Sequence, residues 1–221
     1  VTTIVQNVNT RQTNVILGEK ERVLFGPGFI LDTLCGLTFR ISSQSFYQVN
    51  ATQTEVLYNE AIRLANLTGA ETVIDAYCGT GTIGLVAARR GAARVIGVDS
   101  VPSAIRDAAN NARHNGVENA EFVTQDATAF MKELEASEER PQPLVLLMDP
   151  PRAGSAPEFL EAATSLAPER IVYISCNPAT QARDVRQLVE SGYEVRAVRP
   201  VDMFPHTDHV ESIVLLEKRN D

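Results

Sequence analysis

From residue 72 to residue 191 the chain alternates short apolar runs with amphipathic stretches, a rhythm that restricts it to very few architectures. The β-like runs cover 72–77, 94–99, 120–124, 144–149 and 170–175, and each is followed by a helical stretch, over 82–91, 102–115, 127–136, 156–166 and 179–191. Helices of this length can cross back over a sheet, which predicts parallel strands joined by right-handed crossovers. The ending breaks the pattern. Residues 193–199 and 212–217 read as two strands with no helix between them, predicting an antiparallel hairpin at the sheet edge.

Ahead of the alternation, residues 51–67 place Val56, Leu57, Ala61, Leu64 and Leu67 on one stripe, as expected of a surface helix docked on a core. Residues 12–43 hold short β-like runs, Arg22 to Phe25 and Leu37 to Ile41, separated by Gly26-Pro27-Gly28. This is too little to stand alone. Residues 1–44 are therefore read as a β-rich remnant of a preceding domain, and 45–221 as the catalytic domain. A chain of 221 residues with 44% hydrophobic content is large enough for one full core. It shows neither a signal peptide nor an apolar run long enough to cross a bilayer, so a cytoplasmic, monomeric protein with no membrane partner is expected. Cys35, Cys78 and Cys176 are too few and too scattered for a disulfide framework, a zinc site or an iron-sulfur cluster.

Asp75-Ala-Tyr-Cys-Gly-Thr-Gly-Thr-Ile-Gly84 contains a G-x-G-x-x-G loop between strand and helix, and Asp99 ends the next strand as a ribose-binding acid would. Two ligand classes fit that far. A nicotinamide or flavin dinucleotide would set its pyrophosphate beside Asp75, which repels it. S-adenosylmethionine carries no phosphate, and its amino and sulfonium groups are cationic, so the same carboxylate favours it. The methyl donor is therefore the expected cofactor, with Gly79, Gly81 and Thr82 in its loop, and a dinucleotide-dependent oxidoreductase is the rival reading. Asp126 follows the third strand, where it would meet the adenine amino group; Asp99 and Asp126 are also good helix N-caps. Asp149-Pro-Pro-Arg-Ala-Gly154 closes the fourth strand, where a methyltransferase holds its acceptor, and its prolines stiffen the backbone behind Asp149.

Cys176 lies between the fifth apolar run and a helix start, since Asn177 suits the N-cap and Pro178 the first helical position. The positive end of that helix would favour a thiolate, making Cys176 the candidate nucleophile, while a buried structural cysteine is the plainer alternative. These motifs together resemble the RNA (uracil-5-)-methyltransferases, which form 5-methyluridine in ribosomal or transfer RNA. The resemblance rests on Ser45-Phe-Tyr-Gln-Val-Asn50, Asp75 to Gly81, Asp149-Pro-Pro-Arg152, Ile174-Ser-Cys-Asn-Pro178 and Asp202 to Glu211, five motifs in the family's order. It implies a class I methyltransferase fold of the Rossmann-like α/β type, with Gln48, Tyr77, Asp99 and Asp149 at the donor site. It also implies Cys176 as nucleophile and Glu211 as general base; His206 and His209 are alternative bases.

Carbon 5 of uracil is too weak a nucleophile to take a methyl group until a thiolate adds to carbon 6, and the adduct then needs a base to remove the carbon 5 proton. A base inside a stack is out of reach, so the uridine must be flipped or already single-stranded, with Phe46, Tyr47 and Phe204 as candidate stacking partners. The expected partner is RNA, ribosomal rather than transfer. With a net charge of −8, affinity must come from local basic groups or another domain. The family's amino-terminal RNA-binding β-barrel and four-cysteine iron-sulfur site have no counterpart here, so the chain resembles a catalytic fragment. A non-catalytic RNA-binding module is the remaining alternative.

Overall fold

The computed structural model describes residues 1–12, 16–18 and 20–219. It opens with two hairpins, β1 (Ile4–Val8) with β2 (Lys20–Phe25), and β3 (Phe29–Leu34) with β4 (Leu37–Ser42). The second turns on Cys35 and Gly36 alone, both at positive φ (52° and 77°), the geometry a right-twisted two-residue hairpin requires. Its apolar face, Leu34, Leu37 and Phe39, joins the main hydrophobic core. The backbone of β4 is held by side chains of α3 (Pro102–His114) and the residue after it. The amides of Thr38 and Arg40 donate to Asn115 and Asn111, each at 2.8 Å, and the Ser42 hydroxyl donates to Asp107.

Helix α1 (Ala51–Ala65) is N-capped by Asn50 and stops where Asn66 turns left-handed at φ 48°. Its buried stripe is Thr54, Leu57, Tyr58, Ala61, Ile62, Leu64 and Ala65. Val56 faces solvent, at 49% exposure, and Leu67 lies beyond the helix, so the expected stripe is rotated by about one position.

The alternation then runs β5 (Thr72–Ala76), α2 (Thr82–Arg89), β6 (Arg94–Asp99), α3, β7 (Ala120–Thr124), α4 (Ala127–Ala136), β8 (Leu144–Met148), α5 (Pro157–Ser165), β9 (Arg170–Ser175), α6 (Pro178–Glu190), β10 (Tyr193–Val201) and β11 (Glu211–Lys218). Seven strands form one sheet in the order β10-β11-β9-β8-β5-β6-β7. Strands β5 to β9 are parallel, and β11 inserts antiparallel between β9 and the edge strand β10, as the missing helix predicts. Alternate residues of the central strands feed opposite faces. Val73, Val145, Leu147, Val172 and Ile174 pack toward α1 and α2, and Ile74, Leu146, Met148 and Tyr173 toward α4, α5 and α6. The strand order reverses between β5 and β8, so the crevice beyond their carboxyl ends is where such a sheet receives a ligand.

Candidate active site

The loop from β5 to α2 is shaped by backbone conformations that few residues accept. Tyr77, Gly79 and Gly81 all have positive φ, at 64°, 55° and 77°. Gly81 is the N-cap of α2 and supplies no side chain, and the Gly84 amide of the first turn is satisfied instead by Asp75. A Cβ at Gly79 would meet nothing within 4 Å, whereas at Gly81 it would lie 2.7 Å from the Phe122 ring. Gly79 thus leaves room for a ligand, and Gly81 lets the loop pack down on the sheet.

The cleft over this loop is lined by Phe46, Tyr47, Gln48, Tyr58, Tyr77, Cys78, Gly79, Thr80, Thr82, Ile83 and Asp149, and its enclosed part measures about 60 Å³. That is room for one end of a nucleoside ligand. Asp99 sits at its margin: Oδ2 accepts from the Gly79 amide at 2.9 Å and Oδ1 from the Val101 amide at 2.8 Å, so the carboxylate that ends β6 also braces the loop. Each oxygen keeps a further lone pair for a hydroxyl donor. Asp126 is exposed and caps α4, accepting from the Ala129 amide at 3.0 Å. Tyr58, which the sequence reading passed over, steadies Thr82 through a 2.9 Å hydroxyl pair; its signal was its place on the buried stripe of α1.

Asp75 does not line the cleft. It is 1% exposed beneath the loop, where Oδ2 accepts from the Gly84 amide at 2.9 Å. Burial, together with the charges of Asp149 and Asp99 and against the Gly84 hydrogen bond, pushes its carboxyl up to about 8. It acts on the site by fixing the loop rather than by facing a ligand with its charge. A carboxyl raised in the fold contributes stability that is present below its unfolded value near 4 and lost as pH rises to about 8. Asp75→Asn keeps an acceptor for Gly84 and removes the ionisation. Its melting temperature should match the native chain near pH 4 and exceed it at pH 8, by differential scanning calorimetry; equal temperatures at pH 8 would show that Asp75 is not held neutral.

A second cavity, of about 300 Å³, is lined by Arg152, Cys176, Asn177, Pro178, Asp208, His209 and Val210. Cys176 is half-buried, one residue past β9 and immediately before the Asn177 cap, whose side chain accepts from the Ala179 amide. The antiparallel register ends with Ser212 paired to Ser175, so Glu211 and Cys176 directly flank the last pair of the two strands. Glu211 is 5% exposed; burial raises its carboxyl, and the nearby Arg152 guanidinium opposes that rise. Asp149, at the end of β8, is raised to about 7 by burial and by the Glu211 charge. Asp149 lines the glycine-loop cleft and Arg152 the cysteine cavity, so the loop between them joins the two.

Of the aromatic candidates, Phe46 is 78% exposed, while Tyr47 and Phe204 pack against the core and Phe204 stands edge-on to His209 at 6.4 Å. Only Phe46 offers an open ring. The loop bearing His206 and His209 is tied to the start of α1 by Asn50, which donates to the Met203 carbonyl at 3.0 Å. Cys35 and Cys78 are free like Cys176, and among the described residues no helix is long and apolar enough to cross a membrane.

The sequence profile of the family described as tRNA (uracil-5-)-methyltransferase matches residues 15–219. An uncharacterized RNA methyltransferase of Halalkalibacterium halodurans is 52% identical over 220 residues, covering 100% of this chain and 47% of that protein. One from Lactiplantibacillus plantarum is 52% identical over 99% of this chain and 47% of its own length. The chain spans about half the length of these relatives. Among solved structures, the Pyrococcus abyssi tRNA (uracil-54, C5)-methyltransferase in complex with S-adenosyl-L-homocysteine superposes with a TM-score of 0.80. It shares 35% identity and covers 97% of this chain and 50% of its own. A SAM-dependent methyltransferase from Agrobacterium tumefaciens, 18% identical, shares the fold with a TM-score of 0.68 over 90% of this chain and 74% of its own.

Proposed function

The chain belongs to the tRNA (uracil-5-)-methyltransferase family, with its class I Rossmann-like fold, and from that premise we propose that it transfers a methyl group from S-adenosylmethionine to carbon 5 of a uridine in RNA. The observation that carries the reading is the register of β9 and β11, whose last pair, Ser175 with Ser212, is flanked by the half-buried Cys176 thiol at the end of one strand and the buried Glu211 carboxyl at the start of the other. The family match favours this reading over a dinucleotide oxidoreductase or a non-catalytic binding module.

When bound, the donor supplies an electrophilic methyl group on its sulfonium. Gln48, Tyr77, Gly79, Gly81, Thr82 and Asp149 would hold it across the cleft, with Asp99 and Asp126 toward its ribose and adenine and Asp75 supporting the loop beneath. The open backbone at Gly79 and the Asp99 carboxylate beside it fit a hydroxyl-rich nucleoside. Cys176 acts as a thiolate on carbon 6, forming the S–C6 bond and moving the ring double-bond electrons onto oxygen 4, which makes carbon 5 nucleophilic. After methylation Glu211 accepts the carbon 5 proton. The released electron pair restores the C5–C6 double bond and expels the Cys176 thiolate. Phe46 offers a stacking surface for a displaced base.

Ribosomal RNA is the proposed substrate, and transfer RNA, on which the Pyrococcus relative acts, is the alternative that measurement separates. Nucleoside mass spectrometry of the two RNA pools, from cells with and without the intact protein, should show 5-methyluridine missing from one site of ribosomal RNA. Unchanged nucleosides in both pools would overturn the reading.

A further inference from the structure

Below the cysteine cavity lies a set of hydrogen bonds that neither donor binding nor proton transfer requires. Its centre is Asp184, 2% exposed on the second turn of α6. One oxygen accepts from the Ser155 amide at 2.8 Å and the Tyr173 hydroxyl at 2.7 Å; the other accepts from the Arg183 guanidinium, from Nε at 2.8 Å and Nη2 at 2.6 Å. Arg183 also donates to the carbonyls of Ala153, at 2.9 Å, and Ser155, at 3.4 Å. A turn earlier, Asn177 and Thr180 both donate to the Arg152 carbonyl, at 3.2 and 3.0 Å. Gly154, at φ 79°, is pressed so close that a Cβ there would lie 2.5 Å from Asp184 Oδ2. The Tyr77 hydroxyl reaches Ser155 Oγ at 3.4 Å, extending the set to the wall of the glycine-loop cleft.

Burying a carboxylate is costly unless its oxygens are fully used, and a buried polar network of this kind fixes one arrangement of the pieces it joins. The pieces here are β9, which ends beside Cys176; α6, whose cap follows it; and the loop carrying Asp149 and Arg152. We propose that Asp184 is a positioning residue, locking that loop onto the strand and helix that flank Cys176 so that the sulfur and the groups facing it keep one separation. The proposal rests on the methyl-transfer reading above. A displacement of about 1 Å at reacting groups costs on the order of 100-fold in rate.

The test is steady-state methylation of RNA by the intact protein and its Asp184→Ala, Asp184→Asn and Arg183→Met variants, with S-adenosylhomocysteine affinity measured on each. Asp184→Ala should lower kcat about 100-fold while that affinity stays within about threefold. Asp184→Asn keeps a carbonyl oxygen for Ser155 and Tyr173 but turns an amide donor toward the Arg183 guanidinium, so it should recover only part of the loss. Arg183→Met strips both donors from one oxygen of the buried Asp184 and should lower kcat about tenfold, lowering the melting temperature as well, while S-adenosylhomocysteine affinity stays within about threefold. A folded Asp184→Ala protein with native kcat overturns the proposal, as does a fall in S-adenosylhomocysteine affinity that parallels the fall in kcat. Should Asp184→Ala not fold, native kcat in both other variants overturns it. An inactive native protein would overturn the methyl-transfer reading instead. Amide hydrogen exchange at Ser155, expected to speed up in Arg183→Met, would then still report the clamp, and unchanged exchange would refute it.

Discussion

Replacing Cys176 with Ala is expected to abolish methyl transfer, a loss on the order of 10⁴-fold or more, because no other group in the cavity can open the uracil double bond. The other side chains lining that cavity are Arg152, Asn177, Pro178, Asp208, His209 and Val210, and none carries a comparably soft nucleophile. The same substitution should eliminate a covalent complex with RNA containing 5-fluorouridine at the target site. There the native protein should be trapped, since fluorine replaces the proton that must leave before the sulfur is released. Cys176 is half-buried and precedes the cap rather than forming it, so its truncation removes few contacts and stability should change by less than about 1 kcal/mol. Denaturing gel electrophoresis reads the adduct and calorimetry the stability. Adduct formation by a folded Cys176→Ala protein would place the nucleophile elsewhere.

Glu211→Gln should give the opposite picture: attack and methylation proceed, release fails, and adduct accumulates on ordinary RNA while turnover falls by about 10²–10⁴-fold. Normal turnover by this variant would mean that Glu211 is not the base. The pH dependence has a definite sign. Burial raises the Glu211 carboxyl above the usual glutamate value, and only the ionised form accepts a proton. Release should therefore accelerate as pH rises through that raised value and slow below it. Arg152 lowers the same carboxyl, so Arg152→Met should move the acid limb of the release rate to higher pH; an unmoved limb would show that the guanidinium does not act on Glu211.

The alternation of strands and helices, the closing hairpin and the caps at Asp126 and Asn177 were legible because each is local. Apolar spacing and a capping side chain act within a turn or two of chain. The glycine loop was legible for the same reason, since its positive-φ positions demand residues that stand out in a sequence. The depth of Asp75 was not. Its neighbours in the motif suggest a carboxylate facing a ligand, but the pleat of β5 turns it under Gly84. Nor was the role of Asp184, because an aspartate beside an arginine on a helix reads as a solvated pair. Only the fold of residues 152–155 over α6 shows that this one is buried.

What residue type and spacing determined alone was the kind of sheet and the glycine loop between its first strand and helix. What tertiary structure decided was which ends of the chain meet: β11 enters antiparallel beside β9 and pairs Ser212 with Ser175, so that Glu211 and Cys176, 35 residues apart in the chain, flank one strand pair. Strand pairing and burial are set by which surfaces exclude water together, a property of the assembled layers that no local stretch of sequence carries.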